Sequence, residues 1–140
     1  MDSSWEKATK AVLRFEGGYT VDSGGKTKYG ISQRSYPNED IEHLTVERAK
    51  ELYKHDYWEK AGCYDLPYPL DIIVFDTAVN MGVSVAKDFL NKTQSIPDYL
   101  LLRIERYLHI CGRNDRMRKY LLGWMRRCAI LYNDYGDRKP

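Results

Sequence analysis

The sequence predicts a mainly helical α+β domain, with one helical body and a small β-hairpin lobe after the first helix. Three observations carry this. Apolar residues recur at helical spacing through most of the chain. The run LDIIVFDTAVNMG, residues 70–82, is apolar on nearly all sides and reads as a central buried helix. One glycine-rich stretch, EGGYTVDSGGKTKYGIS at residues 16–32, alternates weakly around a turn signal at Ser23-Gly24-Gly25.

The elements follow in order. Ser3-x-x-Glu6 fits a capping box, and Trp5, Ala8, Val12 and Phe15 then fall on one helical face. Gly17-Gly18 ends this helix. Glu16 therefore sits in its last turn, where the helix dipole disfavours an ionised carboxylate. That placement suits a proton donor. After the hairpin, a short helix is expected over Ser32–Tyr36, stopped near Pro37. Thr45 is a plausible N-cap for a helix over Val46–Lys60. Beyond the central helix, a break at Gly82 precedes a short helix over Val83–Leu90, and residues 98–111 and 115–132 read as two amphipathic helices. Leu121, Trp124, Cys128 and Leu131 form an apolar stripe on the last.

With 140 residues and no long linker or internal repeat, residues 1–140 form a single domain, expected as a monomer. No apolar run reaches the roughly 18 residues of a membrane span, so no stable membrane insertion is expected. Residues 1–16 lack an apolar export core, which predicts synthesis in the cytoplasm without a Sec-type signal. Cys63, Cys111 and Cys128 form no CxxC pair and read as reduced, mostly buried thiols. His43, His55 and His109 have no metal-ligand spacing, so no metal site is expected. GGKT at 24–27 lacks the upstream glycine of a phosphate loop, and no nucleophile elbow is present. Charge is uneven: residues 1–102 carry −4 and residues 103–140 carry +6. The basic end suits an anionic partner or is a solvated arginine-rich face, and both readings stand.

Glu16, Asp22 and Thr27 are the residues that could carry chemistry. Inverting hydrolysis of a glycosidic bond needs an acid for the leaving oxygen and a base for water, about 6.5–9.5 Å apart. A hairpin that begins just after Glu16 can fold Asp22 back to such a distance, and Thr27 could position the water. The same Asp-Ser-Gly-Gly also fits an ordinary turn. Asp76 and Asn80, at i and i+4, share one helix face. They either pair inside the core or line a cleft floor, where Asn80 would hold an N-acetyl group.

FEGGYTVDSGGKTKYGIS, LTVERAKELYKHDYWEKAGCYDLP and VFDTAVNMG, in this order, resemble glycoside hydrolase family 108, N-acetylmuramidases of the lysozyme-like superfamily. The resemblance covers residues 5–90. It implies a lysozyme-like fold and cleavage of the β-1,4 bond between N-acetylmuramic acid and N-acetylglucosamine in peptidoglycan, with no cofactor. Glu16 matches the family's catalytic acid. Asp22 and Thr27 match the aspartate and threonine around its Gly-Gly turn, with Asp22 as the water-activating base. Tyr19, Tyr29, Gln33 and Asn80 are the candidates for holding sugar rings and N-acetyl groups. Partial burial beside apolar groups such as Phe15 is the expected means of keeping Glu16 protonated. Residues 91–140 lack the family's peptidoglycan-binding-like stretch. They read as a shortened helical part packed on the catalytic lobe.

The role this implies is a phage endolysin, released to the wall through a holin-type lesion or a dedicated route. Three other classes stay open: a non-catalytic wall-binding or secretion-accessory protein, a lytic transglycosylase using Glu16 alone, and a basic nucleic-acid binder. No nucleic-acid partner is expected.

Overall fold

The computed structural model describes residues 3–136. Helix α1 spans Ser4–Glu16, capped by the Ser3 side chain, which accepts a hydrogen bond from the Glu6 N–H. It ends at Gly17-Gly18, where Gly18 takes the left-handed φ of 62° that glycine adopts without strain.

A three-stranded antiparallel sheet follows, with β1 at Tyr19–Asp22, β2 at Gly25–Lys28 and β3 at Ile31–Ser32. The β1–β2 register pairs Thr20 with Thr27 and Asp22 with Gly25, and the β2–β3 register pairs Thr27 with Ser32. Paired residues of antiparallel strands share a face, so Thr20, Asp22, Thr27 and Ser32 lie on one side of the sheet. The two-residue loop between Lys28 and Ile31 has positive φ at both positions, 53° at Tyr29 and 79° at Gly30, as a type I′ turn requires.

Helix α2 covers Val46–Tyr53, capped by Thr45, and then widens into a π-helical segment over Lys54–Glu59. The helix expected over Val46–Lys60 is thus α-helical only to Tyr53. The short helix expected at Ser32–Tyr36 is a turn instead. It is braced by Gln33, whose amide nitrogen donates to the carbonyls of Tyr36 and Glu39, both at 2.9 Å. One i→i−4 bond forms, from the Tyr36 N–H to the Ser32 carbonyl at 3.0 Å, and it is not continued because Pro37 has no N–H to donate.

Helix α3, Leu70–Met81, is the central element, with every residue from Leu70 to Ala78 buried. Around Phe75 the rings of Trp5, Trp58 and Tyr53 pack edge-on, with centroids 5.4, 5.6 and 6.1 Å away. Edge-on packing sets the positive ring edge against the negative face of its neighbour. Helix α4 spans Val83–Lys92 and α5 spans Ile96–Arg113. The last helix expected over 115–132 divides. Residues Asp115–Tyr120 form a 3₁₀ segment, and α6 runs Leu121–Tyr135. The mainly helical architecture with a small β-lobe is the one the sequence predicts. Cys63, Cys111 and Cys128 are buried and unpaired.

Candidate active site

Glu16 projects from the last turn of α1, with 26% of its side chain exposed. Three elements close around it. The β2–β3 turn comes first: a Cβ on Gly30 would stand 2.8 Å from Glu16 Cβ and 2.3 Å from the Tyr53 hydroxyl oxygen. Only glycine allows this approach, and its positive φ independently favours glycine. Tyr53 of α2 is second. Its hydroxyl donates to the Tyr29 carbonyl at 2.6 Å, which ties the turn to the helical body.

The third is α6. Arg127 Nη1 donates to Glu16 Oε1 at 2.8 Å. Its Nε and Nη2 grip Asp76 of α3, at 3.0 Å to Oδ2 and 2.9 Å to Oδ1. Asp76 is fully buried and also pairs with fully buried Arg103 of α5, 2.8 Å away. Burial alone would raise the Asp76 carboxyl, but the charges of Arg103 and Arg127 outweigh it and hold it below the usual carboxylate range. Phe15 stacks on the Arg127 guanidinium, 4.6 Å from ring centroid to Cζ. The surroundings of Glu16 therefore differ from the apolar pocket expected beside Phe15. They are an ion-paired network in which Phe15 faces the arginine.

The expected residues divide between this network and the rim. Asp22 lies exposed at the hairpin tip, where its Oδ1 accepts from the Gly24 N–H at 2.8 Å. Thr27 is half-buried on β2 and shares the sheet face of Asp22. Tyr19 is 41% exposed on the edge strand. Tyr29 is half-buried in the turn beside Gly30, with Lys28 Nζ over its ring at 5.5 Å. Gln33 spends its NH₂ on the loop, which leaves its carbonyl oxygen for a ligand. Asn80 is half-buried, and its Oδ1 accepts from the Tyr107 hydroxyl. Tyr107 is itself fixed by Arg103 Nε at 2.9 Å and by stacking on Trp124. Asp76 thus follows the core-pairing reading, and the Oδ1 of Asn80 pairs with Tyr107 in the same network.

Sequence reasoning gave no site role to Arg127, Arg103, Tyr53 or Gly30. Tyr57, from the π-helical segment, is a further such residue. Burial is the main cause that pushes its phenol up, with the charges of Asp56 and Glu16 adding to it. A signal for the arginines existed. Arg127 falls three residues after Trp124 and four before Leu131, inside an apolar stripe, where a charge needs a buried partner.

Among the described residues no cluster of His, Cys, Asp and Glu could hold a metal ion, and no helix is long and apolar enough to cross a membrane. No curated protein and no solved structure matched the chain. The family profile described as Glycosyl hydrolase 108 matches residues 9–82, which include Glu16, the whole sheet and α3. That match covers just over half of the chain, so the protein belongs to glycosyl hydrolase family 108 and is a glycoside hydrolase.

Proposed function

We propose that the protein is an N-acetylmuramidase that hydrolyses the β-1,4 bond between N-acetylmuramic acid and N-acetylglucosamine in peptidoglycan, with Glu16 as its general acid. Family membership supports the peptidoglycan substrate. The observation that carries the role of Glu16 is its place: a half-buried carboxylate at the junction of the β-lobe and the helical body.

In this reading protonated Glu16 gives its proton to the glycosidic oxygen as the C1–O bond breaks toward an oxocarbenium-like state. The glutamate left behind is met by the Arg127 guanidinium. Water adds to C1 and gives up a proton to Asp22, with Thr27 orienting it. Tyr19, Tyr29, Gln33 and Asn80 hold the sugars. No cofactor enters this scheme. The role as a phage endolysin belongs to the same proposal. In it the protein acts as a monomer, is made in the cytoplasm and is released to the wall by a holin-type or dedicated route.

A second reading draws on one observation. Asp22 sits at an exposed tip, held by its own turn, so of these two carboxylates Glu16 is the one with long-range support. A lytic transglycosylase needs a single acid of that kind. Mass spectrometry of fragments released from purified peptidoglycan separates the two. Hydrated reducing-end muropeptides are expected. Anhydro ends would replace hydrolysis by transglycosylation. Binding without release would leave a wall-binding module.

A further inference from the structure

The hairpin of α5 and α6 carries a surface that the active site does not use. Its tip, residues 113–126, reads RNDRMRKYLLGWMR. Arg113, Arg116, Arg118, Lys119 and Arg126 are exposed there, against the single acidic residue Asp115. Between the cations stand exposed apolar groups, Tyr120 at 45% and Leu122 at 68%. Leu108, on the adjoining turns of α5, is 52% exposed. The side of α6 that packs on the body is a different one, with Arg127, Cys128 and Leu131 buried.

We propose that this tip docks on the surface of an anionic lipid bilayer. Two features choose this occupant. The cation excess matches anionic headgroups and opposes self-association, because a second copy would bring the same positive patch against the first. A soluble polyanion would use the cations but would gain nothing from Leu122 and Leu108. A bilayer supplies acyl chains just beneath its phosphates, so side chains interleaved with cations are both satisfied. The surface lies along the membrane and does not span it. Docking there would hold the glycoside hydrolase where wall and membrane face each other. The proposal does not depend on which glycosidic bond is cut.

The test is co-sedimentation of the full chain with phosphatidylcholine vesicles, with and without phosphatidylglycerol. Binding is expected only with phosphatidylglycerol, and it should weaken as salt rises. The triple variant Arg116→Gln, Arg118→Gln, Lys119→Gln should lower partition roughly a hundredfold, at about fivefold per cation. Leu122→Ser should lower it roughly tenfold through lost apolar insertion. All these side chains are exposed, so thermal unfolding and hydrolysis of soluble glycan fragments should match wild type. Equal binding to pure phosphatidylcholine would overturn the proposal. So would full partition by the triple variant, or a Leu122→Ser protein that binds vesicles and soluble polyphosphate as wild type does. A concentration-dependent dimer lost in Leu122→Ser would also overturn it, by assigning the face to a second copy.

Discussion

Glu16 and Asp22 lie six positions apart in sequence and are supported in opposite ways. Glu16 is held by groups from far along the chain: Gly30 against its Cβ and Arg127, 111 positions away, on its carboxylate. Asp22 is held by the amide of Gly24, two residues on. The first carboxylate has its orientation set by the tertiary fold, and the second by a local turn that a short peptide could form. Damage to the helical core should therefore reach Glu16 and leave Asp22 in place. Damage to the hairpin tip should do the reverse.

The largest effect on stability is expected at the hub of the network. Asp76→Ala removes the carboxylate shared by Arg103 and Arg127, leaving buried Arg103 without a counter-charge and Arg127 with Glu16 alone, a loss of about 3–5 kcal/mol. Guanidinium unfolding measures it. A loss below about 1 kcal/mol would mean that the network does not support the site. If Asp76→Ala fails to fold, Asp76→Asn keeps the shape, and its acid stability gives the same information. The folded carboxyl of Asp76 is depressed, so its contribution is complete above the ordinary carboxylate value of about 3.9 and is lost as pH falls through its lower folded value. Wild type should lose stability on acidification over that window, and Asp76→Asn should show a flatter profile. Asp71 acts in the opposite sense. Burial raises its carboxyl, so its protonation at low pH favours the fold and partly offsets the loss.

Gly30→Ala comes next. It places a methyl group against Glu16 and Tyr53 at a backbone φ of 79°. Left-handed backbone costs roughly 1–2 kcal/mol and overpacking roughly 1–3 kcal/mol, and hydrolysis should fall with stability because the group displaced is the acid itself. Unchanged turnover at reduced stability would place the chemistry elsewhere. Arg127→Lys is milder. An ammonium cannot fork to two carboxylates, so kcat should fall roughly tenfold with KM little changed, while Asp76 keeps Arg103. A change confined to KM would make Arg127 a binding group. Asp22→Asn should have the smallest effect on stability, within about 0.5 kcal/mol, because asparagine also accepts the turn hydrogen bond. Its effect on turnover decides between hydrolysis with a base and a single-acid reaction.

The sequence made some of this legible and hid the rest for a physical reason. Local signals were readable: the Ser3 and Thr45 caps, the end of α1 at paired glycines, the hairpin turn, and α3 as a buried helix from its all-round apolarity. Where side chains altered the backbone locally, the pattern misled. The turn at Ser32–Tyr36 stops after one helical bond because Pro37 cannot donate the next, and α2 opens into a π-helix after Tyr53. The site was half readable. Glu16 is announced by its place before Gly17-Gly18, but its partners come from the β2–β3 turn, α2 and α6. Periodicity marks Arg103 and Arg127 as cations on apolar stripes. It does not say that both turn to Asp76, because that pairing depends on how three helices cross.

The most direct test is a comparison of Glu16→Gln with wild type on purified peptidoglycan, with thermal unfolding measured on the same samples. The amide keeps the shape and can still face Arg127, but it has no acidic proton. Turnover should fall by at least ~100-fold, the usual scale of a general acid, at a near-unchanged melting temperature. A Glu16→Gln protein that releases muropeptides at the wild-type rate would show that Glu16 is a structural anchor for Arg127 and that the acid lies elsewhere.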